Sequence, residues 1–294
     1  MGVSFIKFKN HLYTPEARTN YGIIQFRKRS IVVKAKHLKT LILKDKNMNS
    51  LFDMRDKIRR YFVLESHDVQ WLMLSVLIMG LIVAIGYEME QLNLMLWAGN
   101  LVSVILIIAL AVIVRETAHK IMGLSYGWNV EFIPWFYGLI AGLLVAVLTF
   151  GKIPFLAYSG IKIHMLEDQR LGRFRYGISY FNLGIISLAA PMANLALAII
   201  FKILMFLPNN TLIYEAMKIN LLFALWNLLP IPPLDGANVM YANRGLWLFT
   251  FGMTVCITLL LLIKQVSLLT AILGSAFFGI ILAAVYFILI EKYL

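Results

Sequence analysis

Two short stretches hold the side chains of this chain that could do chemistry in an apolar setting. The first is Val114-Arg115-Glu116-Thr117-Ala118-His119-Lys120, which closes a nearly unbroken apolar run from Leu101. Ionisable side chains at such depth in a membrane cost about 2.5–3.5 kcal/mol each on insertion scales, which makes them functional candidates. Arg115 and His119 are four apart and share one face of a helix, while Glu116 sits beside that face. The second stretch is Asn227-Leu228-Leu229-Pro230-Ile231-Pro232-Pro233-Leu234-Asp235-Gly236, where three prolines break an apolar segment and an acid follows at once. Each stretch also has a bland reading. Arg115 and Lys120 could reach from a helix end for lipid phosphates. Asp-Gly after prolines is ordinary turn chemistry.

The elements that must position these residues follow from composition. The 294 residues are 61% hydrophobic and 14% charged, with a mean hydropathy of +0.79. A soluble domain carries about 25% charged residues, so several membrane spans are expected. Candidate spans are Trp71–Tyr87, Leu94–Met122, Leu183–Leu207, Leu212–Leu229, Leu246–Ile263 and Val266–Ile290. A seventh apolar stretch, Phe136–Phe150, is shorter. The chain carries a formal charge of +12, and residues 1–70 hold 15 Lys/Arg against 6 Asp/Glu, a net +9. Positive loops stay in the cytoplasm, which places the N-terminus there. The loop Lys162–Arg175 is also basic and prefers the same side. That parity makes Phe136–Ile163 a re-entrant element that dips in and returns, and it brings Lys292 back to the cytoplasm. Non-helical backbone at membrane depth needs protein or a wet cavity around it, which hints at a functional interior. The expected fold is an all-α polytopic membrane protein with about six transmembrane helices, a re-entrant or β element and a small basic N-terminal region. Parity places both chemical stretches on one side, where Glu116, His119 and Asp235 could converge.

The division of the chain falls near Asp68, giving a basic region 1–68 and a membrane domain 69–294. Within the first, Tyr21–Arg27, Ile31–Lys36 and Leu41–Lys44 read as short β-structured runs. Leu51, Met54, Ile58, Tyr61 and Phe62 recur at helical spacing with Arg55, Lys57, Arg59 and Arg60 opposite. Such a basic amphipathic helix beside a span lies in the headgroup layer of an anionic membrane; a nucleic-acid arm is the alternative, without a recognised motif. No cleavable signal peptide is visible in MGVSFIKFKNHLY, and Gly2 fits the myristoylation pattern poorly. Cys256 is a single cysteine and reads as a small buried apolar residue.

From Ile105 to Gly236 the chain resembles the site-2 protease family of intramembrane zinc metalloproteases, in a prokaryotic form. Three blocks carry the resemblance in order: RETAHKIMGLSYG, ISLAAPMANLALA and NLLPIPPLDG. The second is similar to the family's Gly-Pro-x-Ala-Asn signature, with Ala190 for glycine. The resemblance implies a core at about 94–236, with His119 and Asp235 as metal ligands and Glu116 as the base that activates zinc-bound water. It also implies that Asn194 and Asn227 handle the substrate backbone. Arg115 departs from the pattern, standing where the family has the first histidine of H-E-x-x-H. Guanidinium stays protonated and has no lone pair to give a metal, so the cofactor is zinc only if the protein is active, and otherwise none. Of the other histidines, His11, His37, His67 and His164, only His164 lies in the aligned region, at the edge of the re-entrant element. A bidentate Arg115–Asp235 pair is the expected filling of the site, with His119 turned to Glu116 or water. Neighbours at i and i+1 do not face each other, so Glu116 is the poorer partner for Arg115.

Two functions compete. One is an intramembrane metalloendopeptidase acting on transmembrane substrates; the other is a non-catalytic pseudoprotease that binds transmembrane segments of membrane proteins, with Phe136–Ile163 as an edge for strand addition. An ion relay through Arg115, Glu116 and His119 is a third possibility, lacking a transporter's internal repeats. The expected location is the cell membrane, with both termini cytoplasmic and the lipid bilayer as a partner.

Overall fold

The computed structural model describes residues 54–62, 66–86, 94–165, 179–208, 210–263 and 265–289. Lys57–Leu294 is one compact unit. The three β-structured runs expected before residue 50 lie outside the described residues. Of the amphipathic stretch, residues 54–61 are helical (α1).

The unit is built of helices because backbone polar groups in lipid must be satisfied within their own segment. In order they are α2 (Ser66–Ala84), α3 (Leu94–Ser125), α4 (Phe136–Leu148), α5 (Tyr180–Leu204), α6 (Thr211–Asn227), α7 (Asp235–Ala242), α8 (Arg244–Leu262) and α9 (Leu268–Leu289). Five of them, α2, α3, α5, α8 and α9, are long and apolar enough to cross a bilayer. The fold is an all-α polytopic membrane protein with one small sheet. The span expected at Leu212–Leu229 is α6, whose 17 residues reach about 25 Å. Much of its surface packs against neighbouring elements. Ile219 and Phe223 enter one apolar cluster with Met79, Ile108 and Tyr158. Met217 and Leu221 enter a second with Leu195, Ile257 and Leu261.

The re-entrant segment is a strand–helix–strand unit. Strands β1 (Trp128–Pro134) and β2 (Ser159–Met165) pair antiparallel, in register from Trp128↔Met165 to Pro134↔Ser159. Between them α4 spans 13 residues, about 20 Å, too short to cross a hydrocarbon core of about 30 Å. The Trp135 amide donates to the Tyr158 carbonyl at 2.7 Å, tying the start of α4 to the residue before β2. Trp128, Val130 and Phe132 turn inward from β1.

Two glycines set the junctions nearest the polar centre. A methyl on Gly160 of β2 would lie 2.6 Å from the Pro233 carbonyl, so the hairpin abuts the proline turn closely. A methyl on Gly236 would run into the Leu228 carbonyl; only glycine lets α7 begin this near the end of α6. Asp-Gly here is therefore a packing requirement as well as turn chemistry. The Pro232–Pro233 bond is cis.

Candidate functional site

The last turns of α3 pass among α5, α6 and the hairpin, so side chains that would face lipid earlier in the helix become enclosed. Arg115 and His119 are fully buried, and Glu116 and Lys120 are each 8% exposed. Asp235, the first residue of α7, and Asn227, the last of α6, are fully buried as well.

Arg115 is the hub. Its Nη2 donates to Asp235 Oδ2 at 2.7 Å and to Asn227 Oδ1 at 3.3 Å. Its Nη1 lies 2.6 Å from Ser159 Oγ, 2.8 Å from Glu116 Oε1 and 3.2 Å from the Tyr158 hydroxyl, so three acceptors share two hydrogens. The Tyr158 hydroxyl donates to Glu116 Oε1 at 2.8 Å, and its ring centroid is 4.9 Å from the guanidinium carbon. Asn227 Nδ2 donates to the Phe223 carbonyl, which fixes the amide so that its oxygen faces Arg115. One planar fork thus joins α3 to α6, α7 and the start of β2.

The expected Arg115–Asp235 pair is present but not bidentate: Nη2 alone reaches Oδ2, and neither Arg115 Nε nor Asp235 Oδ1 has a hydrogen-bond partner among the described residues, because the fork is shared with Asn227 and the Glu116 side of the centre. Glu116, expected to be the poorer partner, also takes Arg115, at 2.8 Å. The helical rule describes where Cβ atoms point, and two long side chains reach past it when both curl toward one polar centre. His119 is corrected too: its Nε2 lies 3.2 Å from Asp235 Oδ1, not on Glu116, and without hydrogen-bond geometry. Asp235 lies outside the five apolar helices. Burial alone would push its carboxyl up; Arg115 first, and His119 second, hold it below the usual carboxylate range instead.

Five of the six sequence-predicted residues, Arg115, Glu116, His119, Asn227 and Asp235, form this one cluster. Asn194, in the middle of α5, is fully buried, and neither its amide nitrogen nor its oxygen has a hydrogen-bond partner among the described residues. His164 lies on β2 with Nε2 2.8 Å from Glu131 Oε2 on the outer face of the hairpin. Cys256 is half-buried in α8. Tyr158 and Ser159 were missed. Their signal was a polar pair, Tyr158-Ser159, interrupting the apolar run Phe155–Ile161 just before a glycine.

A catalytic zinc takes three protein ligands and a water. His119 and Asp235 supply two candidate donors, and the third position is a guanidinium with no lone pair. That guanidinium already occupies Asp235 Oδ2. No group of three His, Cys, Asp or Glu side chains among the described residues could hold a metal. The residues at this centre do not fit zinc; they fit a cation carried by the protein itself.

Compared with known proteins, the chain is similar to one from Methanocaldococcus jannaschii named "Putative zinc metalloprotease MJ0611". The two are 35% identical over 142 residues, which cover 46% of this chain and 67% of that one. No family model matches the chain. No solved structure matches it.

Proposed function

Since the chain belongs to the family of that zinc metalloprotease, we propose that it is a site-2 protease-like membrane protein in which Arg115 has replaced the metal. In this reading it holds transmembrane segments of other membrane proteins without cutting them. The observation that carries it is the fully buried Arg115 fork on Asp235 at 2.7 Å, at the position where the resemblance calls for a metal ligand. The charge pattern supports a place in the cell membrane with both termini cytoplasmic. Asn194 supports a binding role, since neither polar atom of its buried amide has a partner among the described residues and both are suited to a substrate backbone.

The second reading is an active intramembrane endopeptidase. What favours it is that Glu116, His119, Asn227 and Asp235 stand within one connected cluster.

Both readings meet in one experiment on the purified full chain, combining metal analysis with a single-span reporter reconstituted in liposomes. The pseudoprotease reading expects zinc well below one per chain and an intact reporter, in the native protein and in Glu116→Gln alike. Tightly bound stoichiometric zinc, or cleavage lost in Glu116→Gln and with chelator, would overturn it.

A further inference from the structure

Away from the polar centre, a groove of about 500 Å³ runs between α2 and α3. Its walls are apolar for most of its length, formed by side chains such as Met73 and Leu77 of α2 and Ile113 of α3. These three are 65%, 50% and 62% exposed, so the groove opens sideways onto the surface that five apolar helices present to a bilayer. Its volume falls in the range of pockets that enclose a single small ligand.

The groove is not apolar throughout. One end is closed by Phe62, Glu116, Thr117 and Lys120. The Lys120 ammonium stands 5.8 Å from the Phe62 ring centroid. Phe62 directly follows helix α1, in whose last turn Lys57, Arg59 and Arg60 are basic. Lys120 adds a further positive charge and Asp68, at the start of α2, a negative one. Glu116 contributes little repulsion to an anion, because its carboxylate is held at 2.8 Å by Arg115. The result is a long apolar trough whose end holds Lys120 and, through Phe62, adjoins a basic helical turn.

From this shape and charge we propose that the α2–α3 groove is a binding site for an anionic phospholipid. An acyl chain lies along Met73, Leu77 and Ile113, and the phosphate sits at the mouth with Lys120 and the basic helix. A juxtamembrane basic side chain attracts an anionic headgroup by roughly a factor of five in affinity. A zwitterionic headgroup gains little from the same charges. This site is independent of whether the centre at Arg115 cleaves anything.

The test is native mass spectrometry of the full chain released from detergent, titrated separately with dioleoyl phosphatidylglycerol and dioleoyl phosphatidylcholine. One phosphatidylglycerol per chain is expected to be retained with about tenfold preference over phosphatidylcholine. Met73→Trp and Leu77→Trp fill the trough from exposed positions that leave the core intact, and each is expected to remove that preference. Lys120→Gln lowers phosphatidylglycerol retention about fivefold, and Lys120→Arg restores it. Equal retention of the two lipids overturns the proposal, as does phosphatidylglycerol binding that survives both tryptophan variants. Displacement of bound lipid by a single-span peptide, with no headgroup preference, overturns it in favour of a helix-binding groove.

Discussion

The Arg115–Asp235 bridge can be weighed by neutralising each side alone and both together, with Arg115→Gln, Asp235→Asn and the double variant. At 2.7 Å the gross attraction is about 6 kcal/mol for an effective dielectric near 20. Desolvation of two fully buried groups offsets much of this, so the pair itself is a modest net contributor. Removing one partner is different, because the other is left charged and dry. Each single variant is therefore expected to lose about 3–5 kcal/mol. The double variant keeps hydrogen-bonding amides at both positions and leaves Glu116 with the Tyr158 hydroxyl as donor. Its loss should fall short of the sum of the singles by about 2–3 kcal/mol, the upper part of the range for directly bonded neighbours. The assay is equilibrium unfolding in mixed micelles, followed by helical circular dichroism. Additivity within about 0.5 kcal/mol, the behaviour of independent sites, would refute the claim that this pair organises the centre.

Two further perturbations test the surroundings of the fork. Tyr158→Phe removes the hydroxyl that donates to Glu116 and accepts from Arg115; the expected loss is about 1–3 kcal/mol in the same assay. An unchanged midpoint would mean that Glu116 finds an equal donor elsewhere. Gly236→Ala places a methyl against the Leu228 carbonyl, and overpacking of that kind costs about 1–3 kcal/mol. Because it pushes α7 away from α6, it should also weaken the effect of a following Asp235→Asn change, which a wild-type-sized effect would contradict.

Much of this centre was legible because membrane interiors penalise ionisable groups so heavily that their presence is a signal in itself. Glu116, His119 and Asp235 stood out against apolar neighbours, and the five helices long enough to cross a bilayer followed from uninterrupted apolar length. Charge complementarity was enough to pair Arg115 with Asp235 across 120 residues of sequence. Other features were not readable for equally physical reasons. Tyr158 and Ser159 are common residue types whose role depends on the hairpin register that delivers them to Arg115. Strand β1 went unassigned although Trp128, Val130 and Phe132 alternate with Asn129, Glu131 and Ile133, because seven residues beside a 32-residue helix give a weak local pattern. The Arg115–Glu116 contact ran against a rule about adjacent helix positions, and only the shape of the enclosed centre shows why both arms bend inward.

The replacement of a metal by arginine can be tested in reverse, and charge arithmetic predicts the outcome. Among the described residues, the buried ionised side chains are Arg115, Glu116, Lys120 and Asp235, two positive and two negative. These four charges balance without any added ion. Bringing in a dication would leave an excess of +2 in a low-dielectric setting, a large cost on top of the missing ligand. Arg115→His changes both terms at once. It removes one positive charge, supplies an imidazole four residues before His119 on the same helical face, and frees Asp235 Oδ2. The excess with zinc falls to +1, and three donors of the right kind become available. The variant is therefore expected to retain close to one zinc per chain by metal analysis, and to gain thermal stability from added zinc that the native protein does not show. Zinc binding by the native chain at the same level would show that Arg115 yields the site. Failure of Arg115→His to bind zinc, with the variant still folded, would show that His119 and Asp235 are held by more than the arginine, and that this centre departs from a metal site in more than one residue.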